Sequence, residues 1–190
     1  MKPDKLLLIG GSAGSLQVML AVLTAVGNDF PIPVLVILHR NSSFDSALEE
    51  LFISKTGMVT KEVEEKEKPV AGTVYLCPAD YHVLIEKDHS FSLDYSERVH
   101  FSRPSIDVSF KSAADAYGAG TIAVLLSGGN ADGAEGLAYV KEQGGVTVVQ
   151  DPGTADVPYM PQHAISTMQP DHILPADDIS IFIRELASYR

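Results

Sequence analysis

The chain has 190 residues, of which 45% are hydrophobic and 21% are charged, so it has enough apolar sequence for one folded core. This balance excludes a disordered tail, a collagen-like repeat and a coiled coil. Asp and Glu outnumber Lys and Arg by 25 to 14, and the resulting net charge of −11 disfavours general binding to nucleic acid.

The single cysteine, Cys77, excludes an intrachain disulfide and a zinc site built from several cysteines. The apolar run near the N-terminus covers only residues 6–9, which is too short for a signal peptide or a membrane span. These features predict a soluble cytoplasmic protein with no membrane insertion. The sequence contains no internal repeat and no linker-like segment, so residues 1–190 are expected to form one domain.

Four short apolar runs predict β-strands that are buried on both faces. They cover residues 6–9, 34–38, 121–126 and 146–149. Apolar residues at helical spacing lie within residues 16–26, after the first run, and within residues 179–186, near the C-terminus. This alternation predicts an α/β fold, a doubly wound and mostly parallel sheet with helices on both faces.

The middle of the chain has a different pattern. Residues 73–76, 81–86 and 91–93 are typical of short strands, and a turn at residues 87–89 joins the last two. We therefore expect a small antiparallel hairpin inserted in the α/β frame. The charged run at residues 61–68 is expected to be a solvated strand edge or a loop.

A glycine-rich turn follows the first predicted strand and places Ser12 at the centre of a G-x-S-x-G pattern, residues 10–14. The spacing does not fit the dinucleotide fingerprint G-x-G-x-x-G, and the lysine of a phosphate-binding P-loop is absent. A tight turn of this kind exposes the serine hydroxyl beside the unpaired N–H groups of a helix N-terminus, as a nucleophile requires. A simple helix cap and a phosphate cradle are the alternative interpretations.

Of six histidines, only His39 directly follows a strongly apolar predicted strand. Because parallel strands share one direction, His39 is expected on the same rim of the sheet as Ser12, where it can act as a base. A loop histidine bonded to backbone is the alternative, and no spacing suggests a histidine metal site. The other histidines are expected in the hairpin region (His82) or in loops (His89, His100, His163 and His172).

Asp132 lies in a glycine-rich loop after the predicted strand at residues 121–126, and therefore on the same rim. As a functional residue it would orient a histidine and stabilise the charged imidazolium. Alternatively, it caps the helix that follows. Gly128 and Gly129 would let backbone N–H groups turn toward the site.

Together these segments resemble the catalytic domain of the chemotaxis protein-glutamate methylesterase (CheB) family. The segments that carry the similarity include residues 9–14, 38–39, 78–82, 103–107, 126–134 and 160–165. The resemblance implies that Ser12 is the nucleophile, His39 the general base and then acid, and Asp132 the orienting carboxylate.

The resemblance also implies the activity. The expected reaction is hydrolysis of glutamate γ-methyl esters on a methylated chemoreceptor or similar protein, with deamidation of glutamine as a possible second reaction. No cofactor and no metal are expected. The backbone N–H groups of Ala13 and Gly129 are the candidates for the oxyanion hole, since both lie in loops that can direct donors at the Ser12 adduct.

Four departures from the family pattern lie on this rim. Ala13 replaces a small polar residue, Arg40-Asn41 replaces Met-Pro, residues 129–131 replace Met-Gly-Asn, and Ser102 replaces His. These changes leave open a non-catalytic binding or regulatory module that retains the fold. A nucleotide or phosphate binder that uses the first glycine-rich turn is a more distant alternative.

The family commonly carries an N-terminal receiver domain that covers the catalytic rim. Here the catalytic segment begins at Lys5, and 190 residues are expected to leave no room for such a domain. The resemblance thus implies a catalytic domain whose control, if any, comes from a separate regulator or from expression.

Overall fold

A sheet of seven parallel strands forms the centre of the structure, a computed structural model that describes residues 4–40 and 45–188. Its strands are β1 (Leu6–Gly11), β2 (Val34–Leu38), β3 (Val59–Glu62), β4 (Thr73–Leu76), β7 (Thr121–Leu125), β8 (Val146–Gln150) and β9 (His172–Leu174). The spatial order is β3-β4-β2-β1-β7-β8-β9, and every pair is parallel. Two further strands, β5 (His82–Ile85) and β6 (Phe91–Asp94), form an antiparallel hairpin.

Six helices cover the two faces of this sheet within the described residues. They are α1 (Leu16–Val26), α2 (Asp45–Thr56), α3 (Ile106–Tyr117), α4 (Ala134–Glu142), α5 (Tyr159–Thr167) and α6 (Ala176–Ser188). Helices α1, α2 and α6 pack on one face, whereas α3, α4, α5 and the hairpin pack on the other. Successive β1 residues point alternately into these two cores, so the whole strand is apolar. The predicted doubly wound α/β fold is confirmed.

The register of the three central strands brings their carboxyl ends together. Gly11 at the end of β1 pairs with Leu38 at the end of β2, and Gly10 pairs with Leu125 at the end of β7. The chain adds strands on one side of β1 and later on the other, so these ends lie where the strand order reverses. Crevices at such points are the usual ligand sites of open α/β sheets.

The middle of the chain is partly as predicted. The antiparallel hairpin is present, with its turn at residues 87–89. However, Thr73–Leu76 belongs to the main sheet, between β3 and β2, because its side chains are buried on both faces as in a central parallel strand. The charged run at residues 61–68 begins on β3, which is an edge strand, as expected.

Two histidines do not lie in loops, and for these the prediction is wrong. His163 is in α5, and His172 opens β9. β9 is a partly exposed edge strand of only three residues, so its sequence has no buried apolar run. The buried side of α5 consists of only three residues, and two prolines interrupt its start, which removes the usual helical pattern. No helix of the described residues is long and apolar enough to cross a membrane.

Candidate active site

Ser12 lies in the turn between β1 and α1, at the carboxyl end of the central strand of the sheet. Its backbone N–H donates to the Ser127 carbonyl at 2.9 Å, which joins the loops after β1 and β7. Its carbonyl accepts from the N–H and the hydroxyl of Ser15, at 3.1 and 2.7 Å. The cap position of α1 is Ser15, not Ser12. The Ser12 hydroxyl forms no hydrogen bond within residues 4–40 and 45–188, so it is available to a substrate.

Two glycines allow this turn and the loop after β7 to pack closely, because they have no side chains. A Cβ atom on Gly11 would approach the Ser15 Cβ to 2.5 Å. A Cβ atom on Gly128 would lie 2.5 Å from the Met160 Cε and 3.1 Å from the Ser12 Cβ. The close packing that fixes the backbone of Ser12 therefore needs residues without side chains at both positions.

His39 follows β2 and contacts two side chains, one through each ring nitrogen. Its Nε2 lies 2.8 Å from Asp132 Oδ2, and its Nδ1 lies 3.2 Å from the Ser102 hydroxyl oxygen. Because an ionised carboxylate only accepts hydrogen bonds, Nε2 carries the proton of the neutral ring. Nδ1 is then the basic nitrogen, and the Ser102 hydroxyl donates to it.

Asp132 is completely buried and accepts four hydrogen bonds. Its Oδ1 accepts from the Ser105 hydroxyl and the Asp107 N–H, at 2.9 and 3.0 Å. Its Oδ2 accepts from the Ile106 N–H at 2.7 Å and from His39. Burial alone would raise the pKa of Asp132, but the hydrogen bond from His39 and those from the backbone outweigh it and hold the pKa below its ordinary value.

Asp132 does not cap the helix that follows it, and that alternative interpretation is wrong. α4 begins at Ala134, and its N-cap is Gly133, with a φ of 96°. The loop instead turns the carboxylate back to the N-terminus of α3, where free N–H groups and the helix dipole stabilise negative charge. The anion that faces His39 is thus stabilised by a helix that lies earlier in the chain.

Ser102 and Asn130 belong to the site, although the sequence identified them only as departures from the family pattern. The Asn130 amide donates to the Ser102 hydroxyl and to the His100 carbonyl, both at 3.2 Å. Its side-chain oxygen accepts from the Asp132 N–H at 3.1 Å. Asn130 therefore connects the loop of Asp132 to the turn that carries Ser102, the residue at His39 Nδ1.

The two predicted oxyanion-hole residues, Ala13 and Gly129, have backbone N–H groups that are free to donate to a ligand. Neither the Ala13 N–H nor the Gly129 N–H donates to any described residue, and both residues are exposed. The Gly128 N–H, by contrast, donates to the Val157 carbonyl at 3.0 Å. Of the two loop glycines, only Gly129 retains a free donor.

The structure brings His39 and Asp132 into contact and places Ser12 at the end of the adjacent strand. It does not show a hydrogen bond between Ser12 and His39, since Ser102 occupies the Nδ1 nitrogen. Catalytic hydrogen bonds are often long or absent until substrate binds. Among the described residues, no group of three or more His, Cys, Asp or Glu side chains is arranged to hold a metal ion. Asn41, one of the residues expected to set selectivity, lies outside the described residues.

A pocket of about 220 Å³ opens beside the histidine. It is lined by His39, Arg40, Arg98, Phe101, Ser102 and Arg103. His39 and Ser102, which contacts its Nδ1, therefore border the same open space.

Known proteins of one family resemble the chain over most of its length. The family model for CheB methylesterase matches residues 7–183. A Leptospira interrogans protein called a putative protein-glutamate methylesterase/protein-glutamine glutaminase is 42% identical over 179 residues, which are 94% of this chain and 93% of that protein. The Thermotoga maritima protein-glutamate methylesterase/protein-glutamine glutaminase is 32% identical over 185 residues, 96% of this chain and 54% of that protein.

The structural comparison gives the same result. The crystal structure of the Thermotoga maritima CheB methylesterase catalytic domain matches with a TM-score of 0.91 and 32% identity, covering 96% of this chain and 98% of that one. The chain thus spans nearly the whole length of the Leptospira relative and about half of the full Thermotoga relative. Fold and comparisons define a hydrolase built on a doubly wound α/β domain. The chain belongs to the CheB methylesterase family, which confirms the resemblance seen in the sequence.

Proposed function

We propose that this chain is a single catalytic domain that hydrolyses glutamate γ-methyl esters on a chemoreceptor-like protein in the cytoplasm. The observation that carries the proposal is the His39–Asp132 contact of 2.8 Å beside the strand end that presents Ser12. The names of the relatives supply the substrate class and add deamidation of glutamine as a second reaction.

Acylation begins with proton transfer from the Ser12 hydroxyl to His39 Nδ1. For this transfer, Ser12 takes the place of Ser102 at Nδ1. As the proton leaves, the Ser12 oxygen attacks the ester carbonyl carbon and a tetrahedral adduct forms. Asp132 keeps the ring oriented and stabilises the imidazolium. The adduct collapses when its bond to the methoxy group breaks, and the methoxy oxygen takes the proton from Nδ1 to leave as methanol.

Deacylation uses the same groups in reverse. Water gives a proton to Nδ1 and its oxygen attacks the acyl carbon, after which the Ser12 oxygen leaves and takes the proton back. The products are a glutamate carboxylic acid, which ionises, and free Ser12. The N–H groups of Ala13 and Gly129 stabilise the oxyanion of both adducts, and one such donor is typically worth about 2.7–4 kcal/mol.

The experiment is a methanol-release assay on a methylated receptor fragment, together with labelling by a serine-directed fluorophosphonate. The wild type is expected to release methanol and to be labelled, whereas Ser12→Ala should do neither. Ser54→Ala, which changes an exposed serine on α2, serves as the matched control and should behave as the wild type. Equal labelling and release by Ser12→Ala would overturn the proposal.

One observation favours a second candidate, a binding module without catalysis. The nitrogen that would accept the Ser12 proton is occupied by the Ser102 hydroxyl at 3.2 Å. A wild-type protein that binds the methylated fragment tightly, yet releases no methanol and resists the fluorophosphonate, would establish this alternative.

A further inference from the structure

The pocket beside His39 has a local charge opposite to that of the whole chain. Three of its six lining residues are arginines, whereas the formal net charge of the protein is −11. Guanidinium groups recognise carboxylates and phosphates through directed hydrogen bonds. A cluster of them next to the proposed base indicates a preference for an anionic group of the substrate.

Acidic side chains do not neutralise the positive charges of the three arginines equally. Arg40 forms an ion pair with Glu62, and Arg98 forms one with Asp80 at 3.1 Å. Arg103 forms no ion pair with any carboxylate of the described residues. Its positive charge is therefore the one that an incoming anion can neutralise.

The Arg103 guanidinium is held rigidly in the pocket wall. Nη1 donates to the Ser96 carbonyl at 2.7 Å and to the Tyr95 carbonyl at 3.4 Å. The guanidinium carbon also lies 3.8 Å from the centre of the Tyr95 ring, a cation–π contact. Nη2 donates to no residue of the described ranges. An orientation fixed before binding lowers the entropy cost of capturing a ligand.

One exposed aromatic ring stands at the lip of this pocket. Phe101 is 94% exposed, at the tip of a tight turn closed by the Val99–Ser102 bridge. Both tip residues have positive φ angles, 47° at His100 and 64° at Phe101. Such conformations are strained in residues other than glycine and persist only where the surroundings hold them. The turn therefore presents a large ring to solvent beside a cationic wall.

We propose that the pocket binds a carboxylate side chain that neighbours the ester-bearing glutamate, so that the preferred substrate is an acidic segment of protein. Arg103 binds the carboxylate, and Phe101 covers the apolar part of the same segment. The inference rests on the proposed function and adds to it the chemistry of the residues around the reacting group.

The experiment compares two peptides that carry one glutamate γ-methyl ester, flanked either by glutamates or by alanines. The wild type is expected to have a KM about tenfold lower for the acidic peptide, with little change in kcat, as one charge-assisted hydrogen bond would give. Raising the salt concentration should remove this preference without affecting the neutral peptide.

Arg103→Gln is expected to abolish the preference, so that the variant has similar KM values for the two peptides, because a rim charge mainly affects charged ligands. Arg98→Gln changes an exposed residue and should reduce the preference for the acidic peptide less, because Asp80 already neutralises the charge of Arg98. Arg184→Gln, which removes an exposed arginine on α6, is the matched control. Equal KM values of the wild type for the two peptides would overturn the proposal and leave the proposed function intact.

Direct binding separates this proposal from the catalytic one. In a Ser12→Ala background, the acidic peptide should bind about tenfold more tightly than the neutral peptide, and Arg103→Gln should remove the difference. This result would hold even if neither peptide were hydrolysed, in which case only the proposed function fails. Equal dissociation constants would exclude the carboxylate subsite.

Discussion

At the scale of single residues, the central feature is the orientation of the His39 ring, which decides which nitrogen carries the proton and which is basic. Asp132 binds Nε2, so Nδ1 is the nitrogen that acts as the base in the proposed mechanism. Ser102 already donates to Nδ1, and in the proposed mechanism Ser12 requires the same nitrogen. Access of Ser12 to the base depends on how firmly Ser102 is held, and Asn130 contributes to holding it.

Ser102→Ala should raise the rate at which Ser12 reacts with a fluorophosphonate by about threefold, since a hydrogen bond of this kind contributes about 0.5–1.5 kcal/mol. Removing the hydroxyl frees Nδ1, while the Asn130 amide keeps its bond to the His100 carbonyl. The measurement is the second-order labelling rate, with Ser54→Ala as control. A slower rate would show that Ser102 positions the ring rather than competing for it.

At the scale of elements, the site depends on loops that pack without side chains between them. Gly128 sits between Met160 and Ser12, whereas Gly129 has only a Val157 methyl group near it, at 3.8 Å from an added Cβ. Two adjacent glycines of one loop therefore differ sharply in their tolerance of substitution.

Gly128→Ala should lower the free energy of unfolding by about 1–3 kcal/mol, because the added methyl group overpacks the contact with Met160. Gly129→Ala should stay within about 0.5 kcal/mol of the wild type, as substitutions without new close contacts do. Urea denaturation of the three proteins measures the difference. Similar destabilisation by both substitutions would contradict this difference in packing.

The sequence predicted the parts of the molecule that depend on short-range patterns. β1, β2, β7 and β8 are apolar runs, and their parallel direction placed Ser12, His39 and Asp132 on one rim. β9 was not predicted, and β3 was indicated only by the charged run at its end, because edge strands are partly exposed; Val59, for example, is 66% exposed. The contact of Ser102 with His39 was also missed, since it joins two loops that no local pattern relates.

At the scale of the whole molecule, stability is linked to pH through a buried carboxyl group. Burial and the charge of Asp132 raise the pKa of Asp107 to about 6. Between the ordinary pKa of an aspartate and this value, the folded state binds the proton more tightly than the unfolded state. The contribution of Asp107 to stability therefore falls as the pH rises through that window.

Asp107→Asn should remove this loss, because an amide oxygen can still accept from the Gly136 N–H at the 2.6 Å contact. Relative to the wild type, the variant should gain stability between pH 4.5 and pH 7.5, by up to about 1.4 kcal/mol for each pH unit from 4.5 to the folded-state pKa of about 6. Urea denaturation at both pH values measures this gain. A difference between variant and wild type that does not change with pH would contradict the shift.

The adjacency of β2, β1 and β7 has a kinetic consequence. β1 and β7 are neighbours in the sheet, yet more than a hundred residues separate them along the chain. Contacts between such distant segments form slowly, because a long loop must close first. When the protein refolds from denaturant, the spectroscopic signal of its helices should therefore return before its esterase activity. The time at which activity appears would then report when β7 pairs with β1 and the two halves of the sheet join.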